Sequence, residues 1–394
     1  MNNSWNRRDF IVKPVAVLAA SQLLGAQELF AENKAAGKII QRKLGRTGIS
    51  LPVVSMGVMN ANMPAVVKRA YEVGIRHYDT AARYQDGRNE EMLGAAIKEL
   101  GVRKQLTIAT KVHIQPPKRR DADVAAQMRA SLEGSLRRLQ TDYVDLLHWH
   151  NIAVPEDVGL EAVLRTLEAF KKEGKTRFIG ISSHGRADEA LNEVTRLDTF
   201  DAALVSFNYT MANNPKMIQA IHNAAQKGIG IIAMKSQAGG LTKPDPKLPQ
   251  PLPPHSQTAL LKWVLRNPDI TTAIPGFTTF DQLEQNISVA YDLAYTPAER
   301  EFLGDKTYLA QAQFCRQCGS CIPDCPHHVD VPELMRSHMY AMQYGNHHMA
   351  HQTIAAIPAG RGLGACASCA ECVASCRHSV NIASKIAELK YISA

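Results

Sequence analysis

Residues 144–181 read VDLLHWHNIAVPEDVGLEAVLRTLEAFKKEGKTRFIGI, and this stretch holds one complete strand–helix–strand unit. The short apolar segment 144–150 predicts a buried strand, and 177–181 predicts a second one. Between them, apolar side chains recur at three- and four-residue spacing, which predicts an amphipathic helix over 160–172. These apolar side chains are Leu160, Val163, Leu164, Leu167 and Phe170. Two strands separated by one helix are typical of a parallel sheet.

The same alternation continues on both sides of this unit, after a predicted hairpin at 39–49. Strands are predicted at 53–57, 76–79, 106–111, 144–150, 177–181, 202–207, 230–234 and 272–275. Helices are predicted at 63–73, 89–100, 122–139, 160–172, 187–196, 215–226, 257–266 and 279–292. Eight such pairs are the count of a (β/α)8 TIM barrel. The alternative is a doubly wound sheet, which normally has a glycine-rich first turn, whereas Gly57-Val-Met-Asn-Ala follows the first strand here.

Size and composition indicate a soluble globular class with more than one domain. The chain has 394 residues, 45% of them hydrophobic and 21% charged, and a formal net charge of +8. This length favours two domains. There is no long Lys/Arg run and no basic stripe with interleaved aromatic residues, so nucleic-acid binding is not expected. No segment has the uninterrupted apolar length of a transmembrane helix, so no internal membrane span is predicted.

All eight cysteines fall in two runs of identical spacing near the C-terminus. The first run is Cys315, Cys318, Cys321 and Cys325, followed by Pro326, and the second is Cys366, Cys369, Cys372 and Cys376, followed by Arg377. The C-x2-C-x2-C-x3-C spacing is that of a bacterial [4Fe–4S] site. The sequence therefore predicts two [4Fe–4S] clusters in a small α-helical, ferredoxin-like domain over 299–394.

Ligation in proteins with two such clusters crosses between the runs. Cys376 is therefore expected on the cluster of Cys315, Cys318 and Cys321, and Cys325 on the cluster of the second run. Disulfides and structural zinc are the alternative interpretations. Disulfides do not need tight triplets, and a zinc site usually pairs two C-x-x-C units.

The N-terminal residues 1–33 are interpreted as a targeting segment rather than as part of the fold. Asn6-Arg7-Arg8-Asp9-Phe10-Ile11 resembles a twin-arginine export signal, and the apolar stretch 15–25 after it is too short to span a bilayer. Small residues at Gly25, Ala26 and Ala31 leave the cleavage site open. Iron–sulfur clusters are assembled in the cytoplasm, and the twin-arginine route exports folded proteins. A periplasmic location is the expectation, and an untargeted basic N-terminus is the alternative.

Ionisable side chains end three of the predicted strands. Asp79 ends the second strand, Lys111 the third and His150 the fourth, and Tyr84 follows Asp79 by five residues. A TIM barrel places its catalytic groups at the C-terminal ends of its strands, so these side chains are expected to converge on one pocket. His148 lies on the same face of its strand as His150 and is a rival for its role.

The four residues suit the reduction of a carbonyl group. Hydride delivered to the carbonyl carbon leaves an oxygen that needs a proton. A free tyrosine, with a pKa of about 10, is a reluctant donor at neutral pH. We expect Lys111, held by Asp79, to lower the pKa of Tyr84. A neutral His150 would orient the carbonyl oxygen. Tyr84 is thus the predicted acid/base.

These residues, together with Leu44-Gly-Arg-Thr-Gly48, closely resemble the aldo-keto reductases. The resemblance covers residues 38–295, within a barrel domain predicted over 38–298, with further matches at 173–185, 228–234 and 274–279. The cysteine runs and the Ser-x-His after the fifth strand resemble the ferredoxin-fused branch of that family. The resemblance implies a catalytic tetrad of Asp79, Tyr84, Lys111 and His150.

The resemblance also implies a nicotinamide nucleotide, NADP or NAD, across the barrel mouth. Its contacts would come from Ser182, Ser183, Met234, Gly276, Thr278, Thr279, Gln282 and Asn286. Two positions depart from the family pattern. Leu204 stands where a glutamine is usual, and Gln282 stands where an arginine often binds the 2′-phosphate. NADPH, NADH and the absence of a nucleotide therefore stay open.

The sequence alone leaves three functions open. The first is an exported oxidoreductase that interconverts a small carbonyl and an alcohol, with the clusters relaying electrons to a redox partner. The second is an electron-transfer protein whose two-cluster module carries the electrons and whose barrel is a docking or sensing domain. The third is a simple reductase with structural clusters. The substrate, the direction, the cluster potentials and the oligomeric state are not encoded in any recognisable motif.

Overall fold

The computed structural model describes residues 37–114, 123–152, 154–238, 252–305 and 314–393. The predicted signal at 1–33 lies outside these residues, as does the segment 306–313 between the barrel and the cysteine-containing domain. No helix among the described residues is both long and apolar enough to cross a membrane.

The chain opens with an antiparallel hairpin and continues into a parallel sheet. The hairpin pairs β1 (Gln41–Lys43) with β2 (Ser50–Pro52). The parallel strands are β3 (Met56–Gly57), β4 (His77–Asp79), β5 (Thr107–Val112), β6 (Val144–Trp149), β7 (Thr176–Ser183), β8 (Ala202–Ser206), β9 (Gly230–Met234) and β10 (Ile270–Ala273). They neighbour one another in chain order. The prediction of eight parallel strands is confirmed, and the doubly wound alternative is wrong.

The sheet closes into a barrel through backbone hydrogen bonds between its first and last strands. The Ser55 amide donates to the Ala273 carbonyl at 2.9 Å, and the Gly57 amide donates to the Pro275 carbonyl at 3.0 Å. An added Cβ at Gly57 would lie 2.7 Å from the Ile274 carbonyl oxygen, so this close approach requires glycine. Because β3 is only two residues long, residues 53–55 reach the last strand through single bridges rather than a regular ladder.

In the part of the chain that the structure describes, eight helices surround the barrel, and each turns its apolar side inward. They are α1 (Pro64–Glu72), α2 (Arg88–Leu100), α3 (Val124–Leu139), α4 (Glu161–Lys172), α5 (Ala187–Leu197), α6 (Pro215–Gln226), α7 (Ser256–Leu265) and α8 (Phe280–Ser288). In α4, Val163, Leu167 and Phe170 are fully buried, as the spacing of its apolar residues predicts. A further helix, α9 (Pro297–Gly304), starts with a capping box formed by Thr296 and Glu299.

The hairpin closes one end of the barrel. Leu44 and Leu51 are buried with side chains from inside the barrel, including Leu204 and Ile232. A Cβ added at Gly230, the first residue of β9, would lie 2.4 Å from Leu44, so the hairpin covers the end where the strands begin. The opposite end, where the strands finish, is left for the functional site.

The C-terminal domain is helical and packs on that open end. Its helices are α10 (Val331–His338), which continues into a π-helical turn (Met339–Gln343), α11 (His347–Ala355) and α12 (Ile382–Ser393). Met339 and Tyr340 belong to the same buried apolar cluster as the barrel's outer core. Arg83 donates to the Gln352 carbonyl at 2.9 Å, and Asn346 donates to Asn60 at 2.8 Å. The cysteine-containing domain therefore covers the mouth of the barrel.

Candidate active site

A buried ion pair lies at the C-terminal ends of β4 and β5. Lys111 Nζ donates to Asp79 Oδ1 at 2.5 Å and to the Thr80 carbonyl at 2.6 Å. Both charged side chains are almost completely buried. Burial raises the pKa of Asp79 and lowers that of Lys111, and the attraction between the two charges opposes both shifts. An ammonium has three donors, so one N–H of Lys111 remains for a further acceptor.

Tyr84 lies beside this ion pair. It begins a short 3-10 turn in which Gln85 and Asp86 take left-handed backbone angles, five residues after the end of β4. Lys111 Nζ lies 4.9 Å from the centre of the Tyr84 ring. The His150 ring meets the Tyr84 ring edge-on, with 6.0 Å between centroids. The four residues of the predicted tetrad are thus brought together at the barrel mouth.

The structure distinguishes between the two histidines at the C-terminal end of β6. His148 pairs with Lys111 across the strands, is fully buried, and packs against Gly180 inside the barrel. His150 instead contacts Tyr84 and His113. Burial is the first cause that lowers the pKa of both histidines well below its usual range, and Lys111 adds to it. At neutral pH both rings are therefore neutral, and His150 is the one in contact with Tyr84.

The expected influence of Lys111 on Tyr84 needs correction. Burial raises the pKa of Tyr84, and the nearby Asp79 carboxylate raises it further. The cations that lower this pKa are Arg336 and Arg83. Lys111 donates to the Asp79 carboxylate and to the Thr80 carbonyl, so the adjacent carboxylate offsets its positive charge.

A cavity of about 890 Å³ opens over the barrel mouth. Asp79 and Tyr84 line it, whereas Lys111 and His150 are not among its lining residues. The C-terminal domain supplies part of its wall through Tyr340, Gln343, Tyr344, Gly345, Asn346, His347 and His348. Whatever binds next to Tyr84 therefore contacts both domains.

Most of the residues predicted to hold a nucleotide line this cavity. They are Met234, Gly276, Thr278, Gln282 and Asn286. Thr279 caps helix α8 by accepting a hydrogen bond from the Gln282 amide, so the helix N-terminus borders the cavity. The Gln282 side chain accepts from the Thr278 amide at 2.8 Å. The buried Ser236 hydroxyl, which also lines the cavity, has no partner among the described residues. These groups fit a dinucleotide.

Ser182 and Ser183 do not line this cavity. The Ser182 hydroxyl accepts from the Asn151 amide at 2.9 Å, and the Ser183 hydroxyl donates to the Ile152 carbonyl at 2.8 Å. Both hydroxyls hold the loop after β6 in place. Leu204, fully buried inside the barrel, supplies no polar contact. The position of Ser182 and Ser183 near the nicotinamide carboxamide therefore remains a prediction.

Lys235 and His184 also line the cavity. Lys235 was not selected from the sequence, and His184 was selected only as the histidine of the Ser-x-His after the fifth predicted strand. Lys235 directly follows Met234 at the end of β9, and a charged residue at a strand end is the signal that identified Lys111. His184 follows Ser183 at the end of β7. Arg336 belongs to α10 of the C-terminal domain, and no local pattern connects it with residues 250 positions earlier.

The cysteines form two groups that draw on both runs. Burial raises the pKa of Cys315 to about 12, and the nearby Cys321, Cys376 and Cys318 raise it too. Burial also raises the pKa of Cys366, and its neighbours in the same direction are Cys325, Cys372 and Cys369. The last cysteine of each run therefore lies with the first three of the other run.

The surroundings of these thiols suit thiolate ligands of a cluster. None of the eight forms a disulfide. The Gln317 amide donates to Cys315 Sγ and the His378 amide donates to Cys376 Sγ, both at 3.4 Å. Cys321 and Cys325 are buried among apolar side chains such as Val329 and Leu334. Amide donors and an apolar shell are the features that tune iron–sulfur clusters.

Comparison with known proteins now decides the family. The model of the aldo/keto reductase family matches residues 57–259, and the model of the 4Fe-4S dicluster domain matches residues 314–381. The chain belongs to the aldo/keto reductase family. It is an oxidoreductase with a C-terminal 4Fe-4S dicluster domain.

Characterised relatives resemble the barrel of this aldo/keto reductase. L-galactose dehydrogenase from Arabidopsis thaliana is 29% identical over 302 residues, which cover 68% of this chain and 93% of the relative. D-threo-aldose 1-dehydrogenase from Pseudomonas sp is 28% identical over 237 residues, which cover 51% of this chain and 70% of the relative.

Solved structures agree on the fold. An aldo-keto reductase from Bacillus halodurans in its holo form has a TM-score of 0.58 at 23% identity, covering 71% of this chain and 99% of that one. An aldo/keto reductase from Klebsiella pneumoniae in complex with NADP and acetate has a TM-score of 0.51 at 24% identity, covering 67% and 94%. The (β/α)8 prediction is thereby confirmed.

Proposed function

We propose that this aldo/keto reductase interconverts a carbonyl and an alcohol with a nicotinamide nucleotide, using Tyr84 as the acid/base. One observation carries the proposal. The buried Asp79–Lys111 pair lies beside Tyr84, with His150 in contact on another side, at the wall of a large cavity.

The proton chemistry follows from the surroundings of Tyr84. When bound, a reduced nicotinamide would be the source of hydride, and the reduced carbonyl oxygen would need a proton from this chain. Because burial raises the pKa of Tyr84, its hydroxyl is protonated at neutral pH and can donate. Arg336 and Arg83, which lower this pKa, stabilise the phenolate once the proton has left. In the oxidation of an alcohol the same phenolate takes the proton back.

His150 and the ion pair support this transfer in different ways. Burial and Lys111 keep His150 neutral, so it can donate one N–H to the carbonyl oxygen without competing for the proton. The Asp79–Lys111 pair places a fixed dipole next to the Tyr84 ring in surroundings that exclude water. Preorganised groups of this kind lose little energy to reorganisation during reaction.

A nicotinamide nucleotide is the cofactor that the cavity favours. The Klebsiella pneumoniae enzyme of the same fold was solved with NADP, and the named relatives are dehydrogenases. Met234 would lie against the nicotinamide, and the N-terminus of α8 would face the phosphates. Lys235 adds a hydrogen-bond donor to the same cleft, and burial and the charges of Arg336 and Lys111 lower its pKa.

Gln282→Arg should shift the cofactor preference towards NADPH. The side chain of residue 282 is exposed in the first turn of α8, at the cavity wall. A guanidinium there can form a charge-assisted pair with a 2′-phosphate, for which about 1.4 kcal/mol or a tenfold change is a reasonable expectation. KM values for NADPH and NADH measure the effect. Gln219→Arg, on the exposed side of α6 and away from the cavity, is the control, and an equal change for both nucleotides would contradict the assignment.

We infer that the C-terminal domain holds two [4Fe–4S] clusters with crossed ligation. The two thiol groups and their amide donors support this. When bound, each cluster carries one electron at a time, so the pair can hold the two electrons of one hydride equivalent. Cys315 and Gln317 line a small cavity together with His184 and Lys235 of the barrel. The Cys315 group therefore faces the active site.

The clusters would pass electrons between the barrel and an external redox partner. This proposal gains weight from the twin-arginine-like N-terminus, because a periplasmic enzyme has no free pool of reduced nucleotide. An exported enzyme must keep its nucleotide bound or exchange electrons through another route. The periplasmic location itself is part of the proposal, and detection of the processed protein in a periplasmic fraction is the measurement that checks it.

An electron-transfer protein with a docking barrel is the second candidate. Leu204 and the internally bonded Ser182 and Ser183 favour it, because they remove polar contacts that a carboxamide would need. Anaerobic assays of cluster-loaded protein separate the two. Oxidation of NADPH or NADH that depends on an added aldehyde or ketone supports the reductase. Failure of both nucleotides to bind in a direct titration would favour the second candidate.

A further inference from the structure

The cavity wall beside Tyr84 is formed by segments of both domains that contact one another. Gln85, the next residue, donates from its side chain to the Met59 carbonyl at 3.3 Å and so reaches the loop after β3. From that loop, Asn60 Oδ1 accepts a hydrogen bond of 2.8 Å from the Asn346 side chain of the C-terminal domain. All five residues line the cavity. A ligand next to Tyr84 therefore meets a wall that continues from the barrel into the C-terminal domain.

This wall is rich in amides and poor in charge. The amide side chains in it belong to Asn60, Asn62, Gln85, Gln343 and Asn346. Among the described residues that line the whole cavity, Asp79 is the one carboxylate, and Lys111 already pairs with it. Lys235 is the one Lys or Arg side chain, and its ammonium lies 4.5 Å from the centre of the Tyr340 ring. The wall thus offers a ligand mainly neutral donors and acceptors.

Gln343 carries a hydrogen-bonding atom that the protein itself does not satisfy. It ends the π-helical turn Met339–Gln343 of the C-terminal domain and lines the cavity. Its Oε1 is buried and accepts no hydrogen bond from any described residue. A buried acceptor without a partner is costly. A ligand with an O–H group can satisfy it, and the hydroxyl oxygen can also accept from the amide N–H of the same side chain.

The amide pair between the two domains also has donors to spare. Asn346 Oδ1 accepts from the Met349 amide at 2.9 Å, which caps α11, and one N–H of the Asn346 side chain goes to Asn60. Each side-chain amide has two N–H groups. The second N–H of Asn346 and the N–H groups of Asn60 therefore stay available to a ligand, within the part of the chain that the structure describes.

We propose that Gln343 and the Asn60–Asn346 pair bind hydroxyl groups of the substrate, which is thus an aldehyde or ketone with hydroxyl groups close to its reacting carbonyl. The inference rests on the proposed function of Tyr84 and deepens it by naming the substrate class. A hydroxyl matches an amide because both groups donate and accept. Two of the three amides come from the C-terminal domain, so this domain takes part in substrate selection.

Substrate pairs that differ only in their hydroxyl groups test this inference. Glyceraldehyde and propanal are both three-carbon aldehydes, and dihydroxyacetone and acetone are both three-carbon ketones. We expect kcat/KM to be at least about tenfold higher for the hydroxylated member of one pair, because a site with unpaired amides rejects the analogue that lacks the hydroxyl. Equal or lower kcat/KM for the hydroxylated member of both pairs would overturn the inference.

Gln343→Leu is the matched variant, because leucine is similar in size to glutamine and has no polar side-chain atom. It should lower kcat/KM for glyceraldehyde about tenfold, as expected for loss of one hydrogen bond, and leave the value for propanal within about twofold. Gln219→Leu, on the exposed side of α6, is the control and should change neither value. Equal losses for both substrates would show that the amide serves the packing of the two domains and not the substrate.

Asn60→Ala repeats the test from the barrel side and decides the outcome if Gln343→Leu loses its clusters or its stability. It should also lower kcat/KM for glyceraldehyde more than for propanal. The KM for the nucleotide should not change in either variant. A rise in this KM with both substrates would assign the amides to the ribose hydroxyls of the nucleotide and overturn the inference.

A binding measurement separates failure of this inference from failure of the proposed function. Xylitol and pentane-1,5-diol have five carbons each and no carbonyl, and their binding to cluster-loaded protein is followed by saturation-transfer NMR. A stronger signal for xylitol that falls in Gln343→Leu but not in Gln219→Leu supports the hydroxyl site even in a protein that reduces no carbonyl. Equal signals for the two alcohols, no xylitol signal, or a xylitol signal unchanged in Gln343→Leu counts against it.

Discussion

Replacing Tyr84 by phenylalanine should lower kcat/KM for carbonyl reduction by about 10³-fold, the usual contribution of a general acid. The substitution removes one oxygen and leaves the ring that contacts His150 and covers Lys111. The proton donor is lost, while the Asp79–Lys111 pair stays intact. Initial rates with a fixed nucleotide and a varied aldehyde measure the loss, and cluster content is measured on the same samples.

Tyr344→Phe is the matched control for this variant. Tyr344 also lines the cavity, and its ring packs against Tyr340 at 6.0 Å between centroids. It removes the same atom from the same cavity, so its rate should stay within about threefold of the wild type, as is usual for a change away from the reacting atoms. Full activity of Tyr84→Phe would show that the proton comes from elsewhere.

Loss of Cys376 should damage the cluster of the first run rather than that of its own run. Cys376 lies with Cys315, Cys318 and Cys321, whereas Cys366 has Cys325 as its neighbour from the other run. Cys376→Ala should therefore lose one of two reduced-state paramagnetic signals, and the lost signal should be the one missing in Cys318→Ala. The iron content per chain should fall from about eight towards about four.

Double variants make this test decisive. Combining Cys376→Ala with Cys318→Ala should remove no further signal, because both residues belong to one cluster. Combining Cys376→Ala with Cys369→Ala should remove both signals. The reverse pattern would show that each run holds its own cluster and that ligation does not cross.

The fold was predictable because its pattern is local and repeated. Each strand of the barrel is a short apolar run, and each helix repeats apolar residues every three or four positions, as in Val163, Leu167 and Phe170 of α4. Eight repetitions leave few architectures. The first strand was predicted at 53–57 but spans only Met56–Gly57, because residues 53–55 meet the last strand, which no local signal encodes.

The clustering of the four predicted tetrad residues was predictable for a related reason, and their catalytic roles stay a prediction. Asp79, Lys111 and His150 each stand at the end of a predicted strand, where a charged group is out of place unless it serves a site. The pKa shift of Tyr84 was not predictable, because it depends on how deeply the side chain is buried. Burial and Asp79 raise its pKa, and Arg336 and Arg83 lower it. Arg336 reaches it only through tertiary packing.

The position of the cysteine-containing domain could not be read from the sequence. Tyr340 and Arg336 lie some 250 residues after Tyr84, and the linker sequence does not indicate where the C-terminal domain packs. The structure places them over the barrel mouth, where Tyr340 shares the cavity with Tyr84. This arrangement turns two independent sequence predictions, a reductase barrel and an iron–sulfur domain, into one site.

We propose that electrons pass between the barrel mouth and the clusters. To test this, cluster-loaded protein is mixed with NADPH, and separately with NADH, in the absence of oxygen and of any carbonyl, while the broad visible absorbance of the clusters is followed. We expect bleaching by at least one nucleotide, with about two electrons accepted per chain. Unchanged absorbance, in a sample that oxidises the nucleotide as soon as an aldehyde is added, would show that the clusters take no part in the reaction.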